Sequence, residues 1–192
     1  MAQNNACSNL RLLTACCRLS DEEFAATRTS FFPSLLATLN HILLVDRYYI
    51  KGLQGDIADY SVFADETPYR SASLLQKAQI RSDHTLIRFC ESLRDGDLER
   101  EVRLSRGERG IDVETVGTVL SHLFVHQIHH RGQVHAMLAG TSVPPPQLDE
   151  FFLLSETGHR ELDIAAFQRE TDLLWALSRW ALASSMALSS SP

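Results

Sequence analysis

The feature that most constrains the fold is an apolar pattern of helical period in a histidine-rich segment. Apolar residues recur there every three to four positions, which predicts a long amphipathic helix near residues 115–139. Five of the protein's eight histidines lie within residues 121–135. The apolar positions of this histidine helix are Val116, Val119, Leu120, Leu123, Phe124, Val134, Met137 and Leu138. An apolar stripe of this kind needs other helices to cover it, so the segment favours a helical bundle.

Helical spacing decides which of these histidines can act together. Side chains three or four positions apart on a helix stand about 5–6 Å apart at their Cβ atoms. Two imidazoles at that spacing form the helical half of many metal sites, because the backbone fixes both nitrogen ligands before the ion binds. Spacing leaves three candidate pairs open: His122 with His126, His126 with His129, and His126 with His130. Histidines that pack in the core or face solvent are the alternative interpretation.

The same segment disfavours one class of metal enzyme. Zinc proteases with two histidines one turn apart carry a Glu directly after the first histidine, and this Glu acts as the general base. Here Leu123 follows His122, and Gln127 follows His126. The sequence therefore lacks the general base of that class.

A pair of histidines needs a third ligand from another helix to hold an ion with an open coordination position. His41 is the one histidine of a second predicted helix, near residues 33–53, and it lies beside the apolar stripe of that helix. We interpret His41 as the candidate third ligand, against the alternative of an ordinary core histidine. We interpret Asp46, a little over one turn further on, as a structural residue or a hydrogen-bond acceptor for an imidazole rather than as a ligand.

Apolar patterns in the rest of the chain predict further helices beside the two helices that carry these histidines. Helical apolar periods indicate bundle helices near residues 5–19 and 69–94, and a C-terminal helix near residues 161–182. Alternating apolar residues over 102–113 indicate a small β-hairpin that leads into the histidine helix. Residues 20–23, Ser-Asp-Glu-Glu, form a capping box and predict a short helical turn.

The predicted fold class is all-α, a four-helix bundle with an extra C-terminal helix and at most one small β-hairpin. A chain of 192 residues with 44% hydrophobic composition has enough apolar side chains for one sizeable core. We therefore expect a single domain over residues 1–192.

Composition and charge limit the partners. Eighteen basic and twenty-four acidic side chains give a net charge of −6, which opposes attraction to phosphate backbones and anionic membrane surfaces. No stretch reaches the roughly 18 apolar residues of a membrane span, and the N-terminus lacks a signal-peptide pattern. The four cysteines contain no C-x-x-C pair, and we expect them to be buried, reduced thiols. We expect no nucleic acid, no membrane and a cytoplasmic location.

Three runs of sequence stand out together, TLNHILLVDR at 38–47, HLFVHQIHHRGQ at 122–133 and PPPQLD at 144–149. These runs resemble the DinB/YfiT-like family of damage-inducible bacterial metalloproteins. Their order, separation and flanking residues all agree with that family. The resemblance covers about residues 5–155, which we take as the core of the domain. Residues 157–185 then form a C-terminal helical extension.

The resemblance implies a metal site. Members of the family are four-helix bundles that hold a divalent metal, zinc or nickel, with one histidine of the second helix and an H-x-x-x-H pair of a later helix. Carried over residue by residue, the implied ligands are His41, His126 and His130. Supporting or structural roles are then implied for the other histidines of the segment, which are His122, His129 and His135.

The resemblance also implies a function. Characterised members include thiol-dependent transferases and isomerases, in which the metal activates the sulfur of a low-molecular-weight thiol. We therefore expect a metal-dependent enzyme acting on a small molecule, most directly a thiol-dependent S-transferase and otherwise a hydrolase, with no catalytic residue identified. The alternative is a non-catalytic, stress-related metal-binding bundle. Surplus apolar groups at residues 151–154 and around Trp175 and Trp180 either close over the open side of the bundle or form a patch that a second copy covers. Family members are often dimers, so the resemblance favours a homodimer.

We also state expectations for the side chains of Arg131, Gln133 and His84. Arg131 is expected in a salt bridge on the helix surface, or with Gln133 in the lining of a cleft beside the metal. His84 lies between two polar residues, Asp83 and Thr85, and is expected to be exposed.

Overall fold

The fold is a bundle of helices with one small hairpin. The structure, a computed structural model, describes residues 1–148 and 154–189, with side chains over 1–148 and 154–176. The elements in chain order are α1 (Ala2–Cys16), α2 (Asp21–Ala25), α3 (Leu35–Leu53), α4 (Ala72–Ser92), β1 (Glu101–Ser105), β2 (Ile111–Thr115), α5 (Val116–Leu138) and α6 (Thr157–Ser189). Short 3-10 turns lie at Tyr60–Phe63, Asp97–Glu99, Gly107–Arg109 and Leu154–Glu156. The histidine helix is α5.

The predicted bundle is confirmed. α1 packs against α4, α3 packs against α4 and α5, and α6 lies against α1 and α4. α1 ends at Cys16 rather than near residue 19, because a second helix begins almost directly after it. The predicted capping box starts that helix: Ser20 Oγ accepts from the Glu23 amide at 3.1 Å, and the Ser20 amide donates to the Glu23 carboxylate at 3.3 Å.

Hydroxyl side chains cap the N-termini of the three longest bundle helices, α3, α4 and α5. Ser34, Ser71 and Thr115 each accept a hydrogen bond from a first-turn amide of α3, α4 and α5 respectively. Each bond satisfies an N–H group that has no partner inside its helix. These caps define where each helix starts, and hence which face every later residue occupies.

The predicted hairpin is present and packs against α3. β1 and β2 pair antiparallel, and Val102 and Leu104 of β1 are buried. Gly52, one residue before the end of α3, lies beneath these two side chains. A Cβ atom at Gly52 would lie 2.9 Å from Val102 Cγ1 and 3.0 Å from Leu104 Cδ2. Glycine is therefore what lets the hairpin approach the helix so closely.

A layer of buried polar side chains separates two apolar clusters in the bundle. One cluster contains the first parts of α3 and α4 and the last part of α5, and the other contains the last parts of α3 and α4, the first part of α5 and the hairpin. Near the middle of each helix, buried polar residues lie between the two. This polar layer consists of Asn5, Asn9, Asp46, Gln79, Asp83, Gln127 and Arg131.

Asp83 of α4 is the main acceptor of the polar layer. Its carboxylate accepts hydrogen bonds from Asn5, Asn9 and Gln79 at 3.0–3.2 Å. The Gln79 amide also donates to Asp46 Oδ2 of α3 at 2.8 Å. Because these residues come from three helices, the bonds connect α1, α3 and α4.

Arg131 of α5 is the cation of the polar layer, and the prediction of a surface salt bridge or a cleft position was wrong. Its side chain is buried, and Nη1 donates to Asn5, to Asn9 at 3.0 Å and to Gln127 at 2.9 Å. Gln127 in turn donates to Asp46 Oδ2. The network therefore includes all four bundle helices.

The polar layer holds two carboxylates and one guanidinium. Burial raises the pKa of Asp46 to about 6, and burial together with the charge of Asp46 raises the pKa of Asp83 to about 8. Burial lowers the pKa of Arg131 to about 10, which keeps it protonated at pH 7. Burial of the two carboxylates favours the protonated form of one of them, and the layer then has no net charge.

Two expectations about single residues were wrong. The four cysteines are free thiols, but only Cys7 and Cys16 are fully buried, whereas Cys17 is exposed. His84 is half-buried rather than exposed, because its ring packs near Trp175 of α6 with centroids 6.0 Å apart.

Two of the predicted apolar groups lie partly outside the residues that the structure describes. Residues 151–153 of the apolar group at 151–154, and the side chain of Trp180, lie outside the described residues. Among the described helices, none combines the length and apolar character that crossing a membrane requires.

We predict that Arg131→Ala lowers the free energy of unfolding by about 3–5 kcal/mol, because it leaves buried carboxylates without a cation. Urea unfolding of the metal-free protein at pH 7 measures this loss. The control is Arg88→Ala, whose side chain is 72% exposed and lies 3.5 Å from Glu91, so its effect should stay under about 1 kcal/mol. Equal losses for the two variants would contradict a stabilising role of the polar layer.

Candidate metal site

Three histidines from two helices converge on one point. His41 of α3 and His126 and His130 of α5 each offer one ring nitrogen, and these three atoms lie within 4.8 Å of one another. His41 Nε2 and His126 Nε2 are 3.0 Å apart. Of the three histidine pairs that spacing left open, the structure brings His126 and His130 together with His41.

The polar layer sets the register that brings these histidines together. Consecutive residues on a helix point about 100° apart, so His126 faces the site while Gln127 faces the core. Gln127 donates to Asp46, which lies five residues after His41 on α3. This bond holds α3 and α5 where His41 meets His126. Asp46 is outside the group of candidate ligands and has the structural role that we favoured.

The three imidazoles are kept neutral. Burial, together with the neighbouring histidines, lowers the pKa of His41 to about 4 and that of His126 to about 3. Burial also lowers the pKa of His130. A neutral imidazole has a free nitrogen lone pair, so at pH 7 these side chains are in the form that binds metal.

Gln133 orients His130. Gln133 Oε1 lies 2.8 Å from His130 Nδ1, so Nδ1 carries the proton and donates, which leaves Nε2 free as the ligand atom. Gln133 Nε2 lies 3.2 Å from His129 Nε2, which connects a second histidine to this support. Such outer contacts fix the ring orientation of metal-binding histidines.

The residues present fit a divalent metal ion. Zinc lies about 2.0–2.1 Å from histidine nitrogens, so two nitrogens of a tetrahedral site are about 3.3 Å apart. The observed 3.0 Å between His41 Nε2 and His126 Nε2 is close to that spacing, and all three candidate ligand atoms lie within 4.8 Å of one another. In the described part of the chain this group has three imidazoles and no carboxylate or thiol, which leaves a coordination position for water or substrate.

Phe32, just before α3, covers one side of the histidines. Its ring centroid lies 4.2 Å from that of His41 and 5.6 Å from that of His130. Phe31, next to it, is exposed and packs edge-on against Phe32 with centroids 4.9 Å apart. An aromatic ring at this position excludes water from one face of the site.

A cleft of about 380 Å³ opens beside the histidines, and His41 and His126 are among its lining residues. Most of its wall is apolar or aromatic, with side chains from α3 and from the turn at Tyr60–Phe63. Its polar lining residues are Glu66, Thr67, Arg106 and His122. An apolar cleft with a few polar groups beside a ligand cluster is the usual form of a small-molecule site.

The other histidines of α5 lie around the three candidate ligands. His122 is exposed at the cleft, and its ring centroid lies 6.0 Å from that of His126. His129 contacts Gln133, and His135 Nε2 lies 3.1 Å from the Pro146 carbonyl oxygen. These contacts agree with supporting or structural positions.

Sequence reasoning missed two parts of the site. Nothing identified Phe32, because an aromatic residue before a helix is most often a core residue. Nothing identified Arg106, because its place in the cleft depends on how the hairpin packs against α3. Gln133 had a signal, since it lies three residues after His130 and therefore on the same helix face.

Fold and site together define a class of protein, a helical bundle with three histidines that could hold a divalent metal. A family model described as DinB family matches residues 1–164. The chain is 24% identical over 160 residues to Protein DinB of Bacillus subtilis (strain 168), which spans 80% of this chain and 92% of that protein. The chain therefore belongs to the DinB family, and the resemblance seen in the sequence is confirmed.

A solved structure supports the fold. The crystal structure of a DinB-like protein from Bacillus cereus ATCC 10987 superposes with a TM-score of 0.57 at 18% sequence identity. The match covers 74% of this chain and 89% of that chain. At this level of identity the likeness concerns the fold alone.

We predict that His126→Ala and His41→Ala each remove most of the bound metal, because two imidazoles hold an ion much less tightly than three. Elemental analysis of untagged protein, loaded with zinc or nickel and then dialysed, measures the metal per chain. The matched control is His159→Ala, which removes an exposed histidine of α6 and should leave the metal content unchanged. Full metal content in His126→Ala would show that the ion binds elsewhere.

Proposed function

We propose that the protein is a divalent-metal-dependent enzyme that acts on a small molecule, most directly as a thiol-dependent S-transferase. The observation that carries the proposal is that His41 and His126 are both candidate ligands and lining residues of the cleft. A metal that only stabilises the fold needs no adjoining cleft. The proposed metal is zinc or nickel, since imidazole ligands suit both.

The protein's own residues give this site its properties. His41, His126 and His130 present neutral nitrogens, and Phe32 covers one side, so the open position faces the cleft. The apolar walls lower the local dielectric constant, which strengthens electrostatic interactions near the histidines. A bound divalent ion would stabilise a coordinated thiolate or lower the pKa of a bound water to about 7. Three neutral ligands leave the full double charge of the ion, which favours an anionic sulfur.

A hydrolase is the second reaction that the same site supports. It differs in needing water rather than a thiol as the nucleophile. The two reactions therefore differ in a simple requirement, the presence of a low-molecular-weight thiol.

We predict that zinc- or nickel-loaded protein accelerates the consumption of a low-molecular-weight thiol, such as cysteine or glutathione, by an aryl halide electrophile. Loss of free thiol in a colorimetric assay measures the rate. His126→Ala should reduce it to the rate without protein, whereas His159→Ala should keep the wild-type rate. Thiol-independent cleavage of an aryl ester would instead indicate a hydrolase. Full metal content without either activity would indicate a non-catalytic bundle.

We also propose a homodimer, with a cytoplasmic location as a further expectation. Support comes from α6, where Leu162, Leu173 and Trp175 are exposed apolar side chains, as in a surface that a second copy covers. Light scattering at micromolar concentration should give twice the 21.5 kDa of one chain. A mass of one chain would reject the dimer.

A further inference from the structure

The cleft has two chemically different ends. One end is formed by His41 and His126 of the candidate metal site. Arg106, which follows β1 in the hairpin, also lines the cleft but belongs to a different structural unit. The apolar and aromatic lining includes Tyr48, whose ring lies near the Arg106 guanidinium, and Tyr49, whose ring centroid lies 5.2 Å from that of His122.

Arg106 is held in a defined position. Its Nε donates to Asp112 of β2 at 2.8 Å, and its guanidinium carbon lies 5.8 Å from the centre of the Tyr48 ring. The side chain is only 25% exposed, whereas Asp112 is 54% exposed. A guanidinium that is bonded along one edge and packed near an aromatic ring is oriented before any ligand binds.

The backbone at Arg106 is fixed as well. The Tyr48 hydroxyl donates to the carbonyl oxygen of Ser105 at 2.6 Å, which ties the end of β1 to α3. Gly52 lets the hairpin lie directly on α3, and Ala58 pairs with Leu104 of β1. The position of Arg106 relative to α3, which also carries His41, is therefore set by three independent contacts.

The remaining donors of Arg106 suit an anion. A guanidinium has five N–H groups; the bond to Asp112 uses one of them, and the Tyr49 hydroxyl is a second hydrogen-bond partner, which leaves the other donors for a ligand. Glu66, the carboxylate among the cleft-lining residues, is exposed, so water screens its charge. Arg106 is half-buried, and a guanidinium forms paired hydrogen bonds with a planar carboxylate most readily.

We propose that Arg106 binds the carboxylate of a small substrate whose apolar or aromatic body lies along the tyrosines and whose reacting end reaches the histidines. This inference rests on the proposed function, because it names the class of substrate for the same cleft. It makes Arg106 a specificity-determining residue of the binding site. A neutral substrate of the same shape would leave the remaining guanidinium donors without an anionic ligand.

The test uses two probes of the same shape and different charge, 3-phenylpropanoate and 3-phenylpropanamide. Their affinities are measured by NMR titration of metal-free and of zinc-loaded protein. The wild type should bind the carboxylate about tenfold or more tightly than the amide in both forms, as expected for a hydrogen bond to a charged group. The metal-free arm separates Arg106 from the ion as the source of the preference.

Three variants decide the assignment. Arg106→Gln should abolish the preference for the carboxylate, and Arg106→Lys should restore part of it because the charge returns. Arg109→Gln is the matched control, since Arg109 is an exposed arginine of the same hairpin and should behave as wild type. Thermal unfolding and zinc content, measured for each variant, show whether the fold and the metal site remain intact.

Several outcomes would overturn the proposal. It is wrong if the wild type shows no preference for the carboxylate, or if the preference survives in an intact Arg106→Gln protein. It is also wrong if the preference appears only with zinc, since the ion is then the anion site. A preference that depends on Arg106 in a protein without metal-dependent activity would support this binding site and reject the proposed enzyme function.

Discussion

The hydrogen bond between Gln127 and Asp46 is the contact on which the histidine site depends. It joins the middles of α3 and α5 inside the polar layer, where Arg131 bonds Gln127 from the other side. Apolar side chains alone permit several registers of two packed helices. A slip of one helical turn would move His41 by about 5.4 Å, more than the 4.8 Å that encloses the three ligand atoms. A slip would also break the hydrogen bonds of the polar layer that join α1, α3, α4 and α5, and this loss favours the observed register.

Residues of the histidine helix, α5, lie in two environments, the histidine site and the polar layer, because neighbouring residues on a helix point in different directions. His126 faces the cleft and His130 faces the candidate metal site, while the residue after each, Gln127 and Arg131, faces the polar layer. The same burial that the layer requires also surrounds the imidazoles, and it lowers the pKa values of His41 and His126 well below 6.5. The core of the bundle and the histidine site are therefore coupled through α5. The candidate ligands stay neutral because burial lowers their pKa values and because their group contains no carboxylate.

The sequence predicts the parts of this arrangement that depend on local signals. Helical period predicts the bundle, the Ser20 capping box predicts α2, and spacing restricts the histidine pairs to three, from which the family resemblance selects one. The burial of Arg131 has no local signal, because arginine is usually exposed. The burial of Arg131 becomes favourable only through residues that are distant in sequence. Asn5 and Asn9 accept its hydrogen bonds, and Asp83 contributes a negative charge. Helix packing, rather than any motif, creates that environment.

Two structural units, the helical bundle and the hairpin, form the cleft, and substitutions in them have different effects. The bundle carries His41 and His126 on helices fixed by the polar layer, so substitutions there disturb fold and ligands together. The hairpin carries Arg106 and packs on α3 through Val102 and Leu104, outside the polar layer. A change at the hairpin tip alters the cleft wall without altering the register of α3 and α5. Under the proposed function, substrate recognition can therefore change through the hairpin while the bundle and its candidate ligands stay the same.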